Sequence, residues 1–179
     1  MPVETSSRPA VTTLSLEEYL QSSYHPDCDF VDGQIEERNV GETKHGLLQV
    51  EVAFWFRSRK SDWNIRVITE LRTRVGGTRI RIPDVTVAYD DQAINEEVRT
   101  TPPLIAIEIL SPEDRMNRVI VRLEDYLAMG VENLWLLDPL ERVAYTYNAA
   151  GLRLVDGPRL SIPNSPIYLD LKEVFSALD

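Results

Sequence analysis

The chain has 179 residues and a mass of 20.4 kDa, the size of one domain, and 43% apolar residues supply a core without staples. Its 29 acidic and 19 basic side chains give a net charge of -10, which excludes a surface basic all round but leaves room for a local basic groove. A single cysteine, Cys28, excludes an internal disulfide framework, and with only His25 and His45 beside it there is no usual structural zinc set.

Residues 1–13, MPVETSSRPAVTT, lack the apolar core of a signal peptide and read as a flexible N-terminal arm. No run of about 18 apolar residues follows, so the expectation is a cytoplasmic protein without membrane contact, with residues 14–179 as one α/β domain. Ser15-Leu16-Glu17-Glu18 has the form of a capping box and predicts a short helix over 16–21. Asp32-Gly33, between two short apolar pairs, suits the left-handed dihedrals of a two-residue hairpin turn. The dense apolar run KHGLLQVEVAFWFRSR predicts a helix over 43–59 largely covered by a sheet.

From Ile65 the period becomes two. Ile65, Val67, Thr69, Leu71, Thr73 and Val75 alternate with Arg66, Ile68, Glu70, Arg72 and Arg74, and Gly76-Gly77 turns the chain into a return strand over 79–89, interrupted by Pro83. This predicts one long hairpin. A polar loop leads to LIAIEIL, a buried strand with one carboxylate in its middle. Ser111-Pro112-Glu113-Asp114 then predicts a helix start with Ser111 as cap, running to Met129 and stopped by Gly130. NLWLLDP and RVAYTY are further strands, Asn148 to Gly151 a turn, and Asp170-Leu171-Lys172-Glu173 the start of a last short helix.

Two carboxylates stand where carboxylates are costly. Glu108 lies inside LIAIEIL, and an ionised group there needs a metal ion, a cation or a raised pKa to compensate. Asp84 follows Pro83, where the ladder is already broken. Alternation puts Asp84 on a face with Thr86 and Ala88, and Glu108 on a face with Leu104, Ala106 and Leu110. On adjacent strands the pair converges within reach of one hard cation, such as Mg²⁺, which takes one or two carboxylates and keeps several waters. A core Glu108 paired with Arg122 or Arg118, and a plain turn role for Asp84, are the alternatives.

Pro83-Asp84, followed about two dozen residues later by Glu108, resembles the PD-(D/E)XK nuclease superfamily, and the wider pattern resembles its Uma family of putative restriction endonucleases. The matching pieces are Val31-Asp32-Gly33, His45, Ile82-Pro83-Asp84-Val85, PLIAIEILSP (103–112) and YLAMGVENLWLLDP (126–139), and the resemblance covers about residues 15 to 175. It implies a restriction-endonuclease-like mixed central sheet flanked by helices, with Asp84, Glu108 and the backbone carbonyl of Ile109 as ligands of Mg²⁺, for which Mn²⁺ substitutes. The implied reaction is phosphodiester hydrolysis of DNA by a metal-bound water.

The chain departs from that pattern at one place. A lysine two residues after Glu108 would complete it, but Leu110 stands there, and Arg122 occupies the helix slot that usually holds the lysine in the Uma family. Arginine stays protonated, so it stabilises charge and cannot act as a base. Two readings follow: a weakened endonuclease, or a catalytically silent nuclease-fold protein that binds nucleic acid or a protein partner. Glu70, as a third acidic group or a partner of Arg72 or Arg66, and His45, as a phosphate contact or water-positioning group, are further candidates for the site. Residues 57 to 81 hold eight cations against two anions, a stripe that either tracks a phosphate backbone or is a solvated face. Two-strand cutting needs two sites, which makes a homodimer an open expectation. Trp55, Trp135 and Tyr126 read as core.

Overall fold

The computed structural model describes residues 13–39, 42–91 and 97–179. Most of the expected N-terminal arm, and the centre of the polar loop that follows Tyr89, lie outside these residues. The capping box closes as its residue types require: the Glu18 N–H donates to Ser15 Oγ at 3.2 Å and the Ser15 N–H to Glu18 Oε2 at 2.8 Å, starting α1 (Leu16–Leu20). Asp32 and Gly33 both take positive φ, +50° and +91°, and turn β1 (Asp29–Val31) into β2 (Gln34–Glu36). Then come α2 (Thr43–Ser58) and α3 (Lys60–Trp63).

The expected long hairpin is split. Its strands are β3 (Ile65–Thr69), β4 (Thr73–Gly76), β5 (Arg79–Arg81) and β6 (Val85–Tyr89), broken at Glu70, where φ is +53°, and opposite it at Pro83. β3 and β6 stay in one sheet, while β4 and β5 join β1 and β2 in a four-stranded sheet ordered β2-β1-β5-β4. A proline without an N–H and a residue in the left-handed region end the ladder on both sides at once. Across the break the Glu70 N–H donates to the Asp84 carbonyl at 3.3 Å.

The remaining elements are β7 (Ile105–Ile109), α4 (Met116–Met129), β8 (Asn133–Asp138), β9 (Val143–Asn148), β10 (Gly151–Leu154), β11 (Arg159–Ser161), β12 (Tyr168–Asp170) and α5 (Leu171–Ser176). The central sheet is six-stranded, ordered β10-β9-β8-β7-β6-β3, and among its pairs β7 and β8 are parallel, as a crossover through α4 requires. All five residues of β7 are buried because both sheet faces are covered. On one face Leu48, Val52 and Phe56 of α2 and Val174 of α5 pack on Val85, Val87, Ile105 and Ile107. On the other, Val119, Leu123 and Tyr126 of α4 pack on Ala106, Leu134 and Leu136. This is the mixed α/β sheet between helices expected above.

Two further expectations change, and one strand pair is new. α2 is covered on one side only: Leu47, Val50 and Phe54, three and four residues apart, face outward. The helix after β7 starts at Met116, not at the Ser111 cap, because Asp114 closes a separate turn, its N–H on Ser111 O and its Oδ2 accepting the Ser111 N–H, both at 2.9 Å. The β11–β12 pair was not read from the sequence.

Candidate active site

Asp84 sits where the two sheets part, one residue before β6. Val85 pairs with Ile107, so Asp84 comes level with Glu108 on the neighbouring antiparallel strand. Alternation aims both side chains to the face of Thr86 and Ala106, the one that α4 covers. Both are only 3% exposed.

Each carboxylate oxygen has a donor. Asp84 Oδ1 accepts from Arg38 Nη2 at 2.8 Å; Oδ2 accepts from the Ile109 N–H at 2.7 Å and lies 3.4 Å from His45 Nε2. Glu108 Oε1 accepts from the Tyr126 hydroxyl at 2.7 Å, and Oε2 from Arg122 Nε at 3.0 Å. The two environments drive the carboxyls apart. Burial alone would raise Asp84, but the adjacent His45 with Arg38 and the Ile109 N–H holds it below the usual range. Burial, reinforced by the charge of Asp84 and only partly offset by Arg122, Arg38 and Tyr126, pushes Glu108 up to about 7. Burial works against protonation of His45, yet Asp84 raises it overall. Such divergence of two adjacent carboxyls is a mark of acid–base sites.

Arg38, His45, Asp84, Glu108, Asp114 and Arg122 are among the residues around a cavity of about 10 Å³, room for one water-sized occupant. Arg38 Nη1 is buried without a partner, one of two such side-chain atoms among the described residues. The other, Thr86 Oγ1, is on the same sheet face two residues after Asp84. The donor chemistry fits the Mg²⁺ that the resemblance implies: two buried carboxylates offer hard oxygens, and Asp84 Oδ1 and both Glu108 oxygens each keep a second lone pair. Among the described residues no three His, Cys, Asp or Glu side chains are grouped to hold a metal by themselves, so main-chain oxygen and water would complete the shell.

The sequence candidates fall in different places. Arg122 and His45 reach the carboxylates, and Ile109 contributes its N–H to Asp84. Glu70 stays outside this cavity: it is exposed, its Oε1 is 3.5 Å from Gln49 Nε2, and it pairs with neither Arg72 nor Arg66. The left-handed kink that ends β3 turns it away, and its main chain together with Gln49 braces the Asp84 carbonyl instead. It lines an outer pocket with His45, Leu47 and Val50.

Of the eight cations over 57–81, four pair with carboxylates and two more make other contacts within the fold. Arg66 pairs with Asp90, Arg72 with Asp27, Arg79 with Asp32 and Asp125, and Arg81 with Asp29, Glu36 and Asp125, while Arg59 lies over the Trp55 ring and Arg74 binds the Gly77 carbonyl. Sequence reading missed Arg38, Tyr126 and Asp114. Tyr126 had a signal, standing four residues after Arg122 and hence on the same helix face. Arg38, in a polar segment after β2, had none.

No helix among the described residues is long and apolar enough to cross a membrane. No curated protein matches the chain. A crystal structure of "a putative nuclease belonging to DUF820 from Anabaena variabilis ATCC 29413" superposes with a TM-score of 0.79 at 26% identity, covering 92% of this chain and 99% of that one. A cryo-EM structure of a DrdV–DNA complex overlaps 73% of this chain and 10% of its own, at 17% identity and a TM-score of 0.37, too low to carry a likeness of fold. The model of the Uma2 family, described as "Putative restriction endonuclease", matches residues 16–165, a span that takes in both strands of the carboxylate pair and α4, and the chain belongs to that family.

Proposed function

We propose that the protein is a metal-dependent DNA endonuclease centred on Asp84 and Glu108. The observation that carries this reading is the pair itself: two buried carboxyls level on adjacent strands and on one sheet face, around a cavity that admits one small occupant. Asp84 and Glu108, with the Ile109 carbonyl, would hold Mg²⁺ or Mn²⁺, whose Lewis acidity when bound polarises a water and neutralises charge on the scissile phosphate. Tyr126 and Arg122 fix the orientation of Glu108, and His45 and the Ile109 N–H fix that of Asp84. Arg122 keeps its proton at every working pH, so it steadies charge developing on the phosphate and takes no proton from the attacking water. Beside it, Arg115 and Arg118 border a polar cleft of about 230 Å³ that shares Asn39, Asp114 and Arg122 with the cavity and is lined also by Asp29, Glu36, Glu37 and Glu113.

One observation favours a second reading. Every oxygen of the two carboxylates is already answered by a protein donor, as in a catalytically silent nuclease-fold protein that binds nucleic acid or a protein partner. Nicking of supercoiled plasmid in Mg²⁺, in Mn²⁺ and in EDTA, beside Asp84→Ala, separates the two. The endonuclease reading expects nicking that needs the ion and disappears in the variant. Absence of nicking with both ions supports the silent reading.

A further inference from the structure

We infer that Arg38 is a built-in cation on the Asp84 carboxylate, one that a divalent ion must displace, so that a residue outside the carboxylate pair sets the metal affinity of this chain. The inference rests on the reading of Asp84 and Glu108 as the metal-holding pair.

Arg38 lines the cavity and its side chain is nine-tenths buried, with Nη2 on Asp84 Oδ1 at 2.8 Å and Nη1 buried without a partner. A buried unpartnered donor costs about 1–3 kcal/mol, so the guanidinium is held in place by Asp84 rather than by a complete set of bonds. Arg122 contrasts with it. That residue lies within α4, donates to Glu108 and stands 3.6 Å from a second carboxylate, Asp114. Arg38 has one carboxylate and lies after the end of β2, outside any helix or strand. Of the two arginines it is the one free to leave.

Two physical conflicts oppose keeping Arg38 in place once an ion binds; the first acts on Arg122 as well, but its second carboxylate, Asp114, holds that residue. A divalent ion on Asp84 and a guanidinium at hydrogen-bond distance from the same carboxylate repel, strongly so where water is excluded. Space is the second. Mg²⁺ keeps several waters, and the cavity beside Arg38 has room for about one water-sized occupant. Arg38 and a hydrated ion do not fit together.

The test is calorimetric titration of Mn²⁺ into wild type, Arg38→Met, Arg38→Gln and Arg38→Lys, with thermal unfolding of each in EDTA and in Mn²⁺. Met and Gln remove the charge, and Gln keeps a donor for Asp84 should the Met variant fold poorly. Both neutral variants should bind Mn²⁺ roughly tenfold more tightly than wild type, while Lys stays near wild type. The neutral variants should also unfold at lower temperature in EDTA and gain more from Mn²⁺ than wild type does. A purely structural role for Arg38 predicts lower stability without tighter binding. Equal Mn²⁺ affinity in wild type and the neutral variants overturns the inference and leaves the metal-holding pair intact. Absence of Mn²⁺ binding in all four overturns both.

Discussion

The protein buries two clusters of arginine and carboxylate, and they are built inside out from one another. In the first, a cation is at the centre. Arg81, 1% exposed, donates to Asp125 at 2.7 Å, Asp29 at 2.9 Å and Glu36 at 2.7 Å, and Arg79 shares Asp125 at 2.8 Å. That cluster ties β1, β2 and β5 to α4. In the second, two carboxylates are at the centre, arginines stand around them, and a cavity and an unpartnered nitrogen remain. A raised carboxyl does not distinguish them, since burial raises Asp29 as well as Glu108. What distinguishes them is completeness: the Arg81 cluster contributes no unpartnered buried atom, whereas the Asp84–Glu108 cluster has room for something more.

The sharpest way to break this comparison is to remove the central cation of the first cluster. Arg81→Met leaves three carboxylates facing one another and should cost about 3–5 kcal/mol in urea denaturation, without altering Mn²⁺ affinity. A loss below about 1 kcal/mol would mean the cluster is not what holds the small sheet to α4.

The second cluster should show itself through pH. Glu108 is pushed from its usual 4.5 up to about 7, so between those values the folded state holds a proton that the unfolded chain has released. Its contribution is full below the unfolded pKa and is lost as pH rises through the folded one. In metal-free buffer, wild type should therefore lose roughly 2–3 kcal/mol relative to Glu108→Gln between pH 4.5 and pH 8. Asp84 is held low, and its own window lies beneath the ordinary carboxylate range, so it adds no slope there. Urea midpoints across that range check the sign.

Smaller effects sharpen the contrast. Tyr126→Phe removes the hydroxyl on Glu108 and should cost about 1 kcal/mol, read from the same denaturation curves. The Arg142–Asp179 pair at 2.6 Å is exposed, and Asp179→Asn should change stability by about 0.5 kcal/mol or less.

Much of the first layer of this structure was legible because it depends on neighbours in sequence. The capping box at Ser15, the Asp32-Gly33 turn and the alternation of β3 need only local dihedrals and period. Glu108 was conspicuous because a charge in an apolar strand demands a partner. Asp84 was conspicuous because proline breaks the ladder just before it, and the register of β6 on β7 then brings the two level. What stayed hidden depends on contacts distant in sequence. The charge count over 57–81 did not reveal that Asp27, 45 residues from Arg72, answers it, nor that Asp125 is reached by both Arg79 and Arg81. Arg38 is 46 residues from Asp84, with no periodic pattern around it. Glu70 was a candidate because it lies on the strand just before that of Asp84, and the left-handed backbone at that residue, a contact-dependent break in the strand, leaves its side chain exposed.

The central claim is that the Asp84–Glu108 cluster is there for chemistry and the Arg81 cluster for stability. One paired measurement tests it: plasmid nicking in Mn²⁺ and thermal unfolding at pH 8, both on the same preparations of wild type and Glu108→Gln. The account predicts that nicking by wild type disappears in the variant while its unfolding temperature is unchanged or higher. Nicking that survives the substitution, or a variant that is inactive only because it unfolds, would contradict it.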